Sequence, residues 1–207
     1  MPNANRRKLR PDSGIAIGPI LFVIALLGVL AVAIAAGVGG FSTAGVTDRV
    51  YNDVSSQANL IRTKINECNL RYGTDNNGDG YPPDPSTPTK VCALTCEGDP
   101  TTALTGTDCA GNGMTDQNLW YGIRPTTLPL ATSGMGDWYY TNAGASGGRC
   151  IFADPSDTSA ATINGLSQAA AKFSSQEVVF DPSGTTKRFV IWITYPTGTA
   201  DSHCASN

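Results

Sequence analysis

Apolar and polar residues follow two different patterns in the first third of the chain. Residues 15–38 form an apolar run, and no charged residue occurs between Asp12 and Asp48. Over residues 46–72, apolar residues recur every three or four positions: Val46, Val50, Val54, Ala58, Ile61, Ile65, Cys68 and Tyr72. This spacing places them on one face of a helix. We therefore predict a hydrophobic helix over residues 15–38 and its amphipathic continuation over residues 39–72.

The hydrophobic run is long enough to cross a membrane. As a helix it would extend about 36 Å, against a hydrocarbon core of about 30 Å. Four basic residues precede it: Arg6, Arg7, Lys8 and Arg10. Because positively charged flanks stay cytoplasmic, we expect everything after the run to be exported. Two A-x-A sequences, ending at Ala33 and Ala35, leave open a secretory signal that is cleaved there.

Residues 73–207 predict one globular head of the α+β class. Residues 148–154 favour a strand, and residues 158–175 favour a short amphipathic helix with Ile163, Leu166, Ala170 and Phe173 on one side. Aromatic stretches at residues 119–130 and 137–140 indicate short strands or buried anchors. The expected architecture is a long helix packed on a small antiparallel sheet.

The clearest hairpin signal lies near the end of the chain. Two β-rich runs, residues 177–181 and 187–195, flank the turn sequence Asp181-Pro182-Ser183-Gly184. Alternation along the second run predicts one side with Val190, Trp192 and Thr194 and an opposite side with Phe189, Ile191, Ile193 and Tyr195.

Six cysteines follow the apolar run: Cys68, Cys92, Cys96, Cys109, Cys150 and Cys204. An even number in an exported segment favours disulfide bonds. The alternative is a metal site that uses Cys92 and Cys96, but structural zinc sites have tighter pairs and a second matching pair or His. We therefore expect disulfides, with the pairing left open.

A candidate calcium loop follows the amphipathic helix. Asp75, Asn77 and Asp79 alternate, and Gly80 allows the sharp turn that such a loop needs. The twelfth position is Ser86 where an EF-hand has Glu, although Asp84 offers a carboxylate in another geometry. No cofactor is required, and a structural calcium ion is possible. The alternative is a turn without metal.

Charge and motifs argue against two classes of function. The formal net charge is −3 and the head has no basic patch, which gives no reason to expect nucleic-acid binding. The one histidine, His203, lies in a polar segment that looks flexible, and no hydrolase, zinc-protease or nucleotide-binding motif occurs. Asp154 and Asp157 are in principle an acid–base pair, but carboxylates in such loops more often form solvated turns. We predict that the protein is not an enzyme.

A basic leader that ends in Gly14, an apolar helix that starts with Ile15, its amphipathic continuation and a cysteine-bearing head together resemble the type IV pilin and pseudopilin family. The resemblance implies that a prepilin peptidase cuts between Gly14 and Ile15 and that the new amino terminus is methylated. It also implies a retained helix that packs with copies of itself or other pilin-like subunits. Pro19, Phe22 and Leu26 are the residues that we expect at those contacts.

This chain departs from the family pattern at two positions. Ile15 stands where the family usually has Phe or Met, and Pro19 where it usually has a Glu that pairs with the amine of a neighbouring subunit. Near a helix start, the missing N–H of Pro19 costs little.

The resemblance also implies a disulfide between Cys150 and Cys204 that clips the carboxy-terminal segment to the sheet. It places the subunit in the inner membrane before assembly and afterwards in an extracellular filament or periplasmic pseudopilus. Two alternatives remain: a signal-anchored periplasmic binding module that does not polymerise, and a secreted enzyme released near Ala36.

Overall fold

The computed structural model describes residues 17–72, 80–82, 87–96, 119–120, 128, 131 and 134–205, with side chains in the long first helix described at 21–29 and 43–71. The chain divides into two compact units, Met1–Ser42 and Thr43–Asn207. The described helices are α1 Ile17–Tyr72, α2 Gly144–Gly147 and α3 Ala160–Ala170. The described strands are β1 Thr89–Lys90, β2 Met135–Asn142, β3 Arg149–Pro155, β4 Val178–Val179 and β5 Phe189–Thr194, with 3-10 turns at Val91–Ala93 and Ser202–Cys204.

The predicted α+β class is confirmed. The five described strands form one sheet in the order β1-β2-β3-β5-β4, and every neighbouring pair is antiparallel. The predicted hairpin is β4–β5, in which Val178 pairs with Ile191, although β4 is shorter than expected. The aromatic stretch at residues 137–140 lies within β2.

Helix α1 ends at Tyr72, as predicted. From Val50 to Cys68 the predicted apolar stripe is buried, with every member at most 1% exposed. Val46 was wrongly included, because it is 40% exposed. The neighbouring Thr47 is buried instead, and its hydroxyl donates a hydrogen bond of 3.1 Å to the carbonyl of Ala161 in α3.

In the part of the chain that the structure describes, no helix combines the length and the apolar character needed to cross a membrane.

The head has its main core between the sheet and the two longer helices. The inner face of the sheet, which faces α1 and α3, carries the predicted Phe189 and Ile191. Trp138 and Tyr140 from β2 join this core. The Trp138 indole N–H donates to Oε1 of Gln57 in α1 at 2.8 Å, which satisfies the indole nitrogen and the amide oxygen of these two buried residues.

The outer face of the sheet carries a smaller core. Val190 and Trp192 lie there, as predicted, together with Phe152 and the disulfide Cys150–Cys204. Tyr195, predicted on the inner side, lies beyond the end of β5 and is exposed. Its ring contacts that of Trp192 at a centroid distance of 5.6 Å, because the strand alternation stops at Thr194.

Helix α3 is rotated relative to the predicted face. Leu166 is fully buried, as expected, but Ile163, Ala170 and Phe173 are half-buried at the edge of the core. The buried residues of α3 are Ala161, Thr162, Gly165, Leu166 and Ala169. A Cβ atom at Gly165 would lie 2.8 Å from Val50 Cβ, so glycine permits the close approach to α1 that sets this rotation.

Disulfide formation is confirmed for the described cysteines. Cys68 bonds Cys96, and Cys150 bonds Cys204 as the resemblance implied. Cys92 is also disulfide-bonded, so the alternative of a metal site at Cys92 and Cys96 is wrong: neither has a thiolate to offer. Cys109 lies outside the described residues.

Candidate assembly surface

The first described side chains of α1 form an exposed apolar segment. Every residue from 21 to 29 is exposed. The large members are between 54% and 72% exposed: Leu21, Phe22, Val23, Ile24, Leu26, Leu27 and Val29. Contiguous apolar patches of this kind mark protein–protein or membrane contacts in other proteins. Residues 21–29 are hereafter the apolar segment.

In the later part of α1, apolar side chains are buried rather than exposed. From Val50 onward its apolar side chains lie against the sheet and α3. Polar contacts fix this packing at its rim, where Arg62 Nη1 lies 2.6 Å from Glu177 Oε1 and Lys172 sits 4.6 Å above the ring of Tyr51. In a single chain, the apolar residues of α1 from Val50 to Cys68 are therefore buried in the head, whereas those of the apolar segment are exposed.

The predicted assembly and processing residues fall partly within the described part. Phe22 and Leu26 are exposed and four positions apart, so they share one face of the helix. Pro19 lies in the first turns of α1, and its side chain is not described. Gly14 and Ile15 lie outside the described residues.

The candidate calcium ligands Asp75, Asn77, Asp79 and Asp84 also lie outside the described residues. Gly80 has a φ of 65°, a left-handed conformation that favours glycine, as the predicted sharp turn requires. The segment after it is anchored on the sheet: the Tyr140 hydroxyl and the Asn142 amide both donate to the carbonyl of Pro82, at 3.2 and 2.8 Å. No group of three His, Cys, Asp or Glu side chains that could hold a metal occurs among the described residues.

Each of the two candidate acid–base carboxylates has structural contacts. Arg188 binds Asp154 through two nitrogens, at 2.7 and 2.9 Å. Asp157 accepts from the amide of Ser159, the residue that caps the amino terminus of α3. Hydrogen bonds from Ser159, and secondarily from Thr162, hold the pKa of Asp157 below its usual range. Both side chains are thus placed to act as charged anchors for loops beside the sheet.

The segment around His203 is ordered by several contacts, contrary to the flexible appearance of its sequence. His203 lies in the 3-10 turn Ser202–Cys204, next to the disulfide. Its ring stacks on Phe152 at a centroid distance of 6.3 Å, and its Nδ1 lies 2.9 Å from Asp201 Oδ1. Arg188 donates to its carbonyl at 3.1 Å. These contacts fasten the segment to the outer face of the sheet.

Sequence analysis missed a second exposed surface, on α1 within the head. Between residues 52 and 66, the residues opposite the buried stripe are exposed and uncharged: Asn52, Ser56, Asn59, Thr63 and Asn66. We call them the neutral face, and the exposed Asp48 precedes them by one turn. The available signal was the lack of charge at positions spaced by four, three, four and three residues, on a helix that is otherwise rich in charge.

Comparison of the chain with protein-family models, curated proteins and solved structures finds no match.

Proposed function

We propose that this protein is a structural subunit of a type IV pilus-like or type II secretion-like filament, assembled through its amino-terminal helix. The observation that carries the proposal is the apolar segment, which is exposed in a single chain and precedes a disulfide-bonded α+β head. A subunit that is first held in a membrane and then packed among other subunits needs such a segment.

Burial of the apolar segment supplies the driving force for assembly. Complete burial of a large apolar side chain contributes about 1.5–3 kcal/mol, so seven partly exposed side chains can together contribute on the order of 10 kcal/mol. A lipid bilayer offers this burial before assembly, and neighbouring subunits offer it in the filament. We place the subunit in the inner membrane first and then outside it.

The head suits an exported protein that works by shape and contact. Two described disulfides fasten the end of α1 and the last 3-10 turn, and such bonds persist in oxidising compartments. We propose no catalytic role and no required cofactor; a calcium ion bound by the loop that includes Asp75 and Asp79 would be structural. The other partners are a prepilin peptidase, which acts between Gly14 and Ile15, and other pilin-like subunits.

The test is the mature amino terminus in two fractions, determined by intact mass and sequencing of the protein from membranes and from sheared extracellular material. A methylated Ile15 terminus in the sheared fraction is the expected result. An intact Met1 terminus confined to membranes would replace this function with a signal-anchored binding module that does not polymerise. A soluble form that starts near Ala36 would instead indicate a secreted protein and reopen the possibility of an enzyme.

A matched pair of variants tests whether the apolar segment drives assembly. Leu26→Asp places a charge in that segment, and we expect it to remove the protein from the sheared fraction, because a lone carboxylate in an apolar contact costs several kcal/mol. Leu70→Asp makes the same change at a leucine that is 85% exposed at the other end of α1, and we expect filaments to remain. Equal amounts of filament from both variants would contradict the assembly role.

A further inference from the structure

The segment that carries Cys204 is attached to the head by several contacts besides its disulfide. We call residues 196–204 the closing segment. Three backbone amides of this segment donate to the consecutive carbonyls of residues 145–147 in α2, at 3.1, 2.9 and 3.0 Å: Thr197, Gly198 and Asp201. The start of the closing segment is therefore held by hydrogen bonds in which Cys204 takes no part.

The end of the closing segment is ordered by its own residues. Asp201 Oδ1 accepts a hydrogen bond from the backbone N–H of His203 at 2.7 Å and lies 2.9 Å from the Nδ1 of the same residue. The Cys204 amide donates to the Asp201 carbonyl at 3.0 Å. The 3-10 turn that presents the Cys204 side chain is thus capped from within the segment, and its shape does not depend on a bond to β3.

Arg188 connects this turn to the sheet. Its Nε and Nη2 bind Asp154 at 2.7 and 2.9 Å, and its guanidinium lies 4.2 Å from the ring centre of Phe152. Because Asp154 belongs to β3 and Arg188 immediately precedes β5, the sheet can fix this guanidinium before the closing segment arrives. The third nitrogen, Nη1, donates to the carbonyl of His203 at 3.1 Å, and a bond from a charged donor is about twice as strong as a neutral one.

We propose that the closing segment docks on the head before Cys204 is oxidised, and that Arg188 is the positioning residue that brings Cys204 to Cys150. Both cysteines are fully buried in the outer core, so docking places the two sulfurs together and away from other thiols. Six cysteines allow 15 pairings, and docking selects one partner for Cys204 among them. This inference does not depend on filament assembly.

Docking acts in the second step of oxidation by glutathione disulfide. In the first step, the Cys150 thiolate attacks glutathione disulfide, forms a mixed disulfide and releases one glutathione thiolate. The Cys204 thiolate then attacks the Cys150 sulfur and releases the second glutathione thiolate. Two protein thiols are oxidised, one glutathione disulfide is reduced, and the two thiol protons pass to the released glutathione. Because the second step is intramolecular, it is favoured by a high effective concentration of Cys204 at Cys150.

Hydrogen exchange in a chain without the bond tests docking directly. In the full-length double variant Cys150→Ser, Cys204→Ser in detergent, we expect the amides of the closing segment to stay protected. Adding Arg188→Gln should raise their exchange rate about tenfold, while peptides from β3 and β5 keep their protection as the internal control for folding. Exchange of the closing segment at the rate of an unstructured chain in the double variant, with both strands still protected, would overturn the proposal.

A glutathione titration of the chain with all six cysteines tests the role of Arg188 even if the double variant does not fold. We expect Arg188→Gln to lower the effective concentration for the outer-face disulfide about tenfold and to leave that for Cys68–Cys96 unchanged, as read by alkylation and mass spectrometry. Lys187→Gln is the matched control, because this neighbouring cation interacts with Asp181 in the hairpin turn, and it should change neither value. No change with Arg188→Gln, or equal falls at both disulfides, would refute the positioning role.

Discussion

The two faces of the sheet are covered by different means. The inner face lies under α1 and α3, and twenty buried residues in the part of the chain that the structure describes make up its core. Among the described residues, five form the buried core of the outer face, and two of these are the halves of the disulfide Cys150–Cys204. The inner face is held mainly by apolar area, to which the disulfide Cys68–Cys96 adds, whereas the outer face is covered by a short segment whose main attachment is a disulfide.

The difference shows how a small head covers both faces of one sheet. A helix offers a long apolar stripe, so it can cover part of a sheet by packing alone. The segment after β5 is short and polar, so it gains little from burial and depends on the bond from its Cys204 to Cys150 in β3 and on the contacts of Arg188 and His203. Mutations on the two faces should therefore lower stability for different reasons: loss of buried apolar area on the inner face, and loss of the covalent attachment on the outer face.

The largest expected effect is loss of the outer-face disulfide. Because the bond closes a loop with a sequence separation of 54, replacement of Cys150 and Cys204 by Ser should lower the free energy of unfolding by about 4 kcal/mol. Chemical denaturation of the double variant measures this. Unfolding at the same denaturant concentration as the wild type would show that packing alone holds the outer face.

The next effect concerns the inner face. Ile61→Ala removes a fully buried side chain from the centre of the α1 stripe and should cost about 3 kcal/mol, from lost transfer energy and the cavity that remains. Asn66→Ala, at an exposed position of the same helix, should change stability by less than about 0.5 kcal/mol. Similar losses for both would contradict the assignment of the core.

A smaller loss is expected where α3 approaches α1. Gly165→Ala would place a Cβ atom 2.8 Å from the Thr47 carbonyl and from Val50 Cβ, so α3 must move outward. We expect a cost of about 1–3 kcal/mol, although alanine favours helix more than glycine does. A gain in thermal stability would mean that the two helices have room to separate.

The smallest effect depends on pH. Hydrogen bonds from the Ser174 backbone, and then from Arg62, lower the pKa of Glu177 to about 2 from 4.5. Since the folded-state pKa is the lower one, this contribution is present above pH 4.5 and is lost as the pH falls toward 2. The Glu177 side chain is 36% exposed, so screening leaves about 1 kcal/mol. Melting temperatures of wild type and Glu177→Gln should converge across that window.

Sequence periodicity predicted the elements that face a core on one side only. The stripe of α1, the hairpin and the alternation of Phe189 to Trp192 follow directly from apolar spacing. Val46 was wrong because it is exposed, whereas burial of α1 begins at Thr47, and Tyr195 was wrong because β5 ends at Thr194; apolar spacing does not show where a partner surface or a strand ends.

Contacts between residues that are distant along the chain could not be predicted from the sequence. Neither the rotation of α3 at Gly165 nor the pairing of Arg188 with Asp154 has a local signal, because both depend on which segments the fold brings together. The apolar segment was predicted from composition, whereas the neutral face became visible only after the buried side of α1 was known. The pairing of Cys150 with Cys204 came from a family resemblance, since six cysteines allow 15 pairings.

Because Cys204 follows every described strand, the Cys150–Cys204 bond can form only after all of these strands have been synthesised. Cys150 lies in the central strand and emerges from the ribosome well before its partner, which follows every described strand. Any chain that ends before Cys204 keeps Cys150 on β3 without its disulfide partner, as a thiol that is available for reaction with other thiols. The Cys150 thiol is converted into a disulfide only when synthesis has passed β5 and the 3-10 turn that contains Cys204.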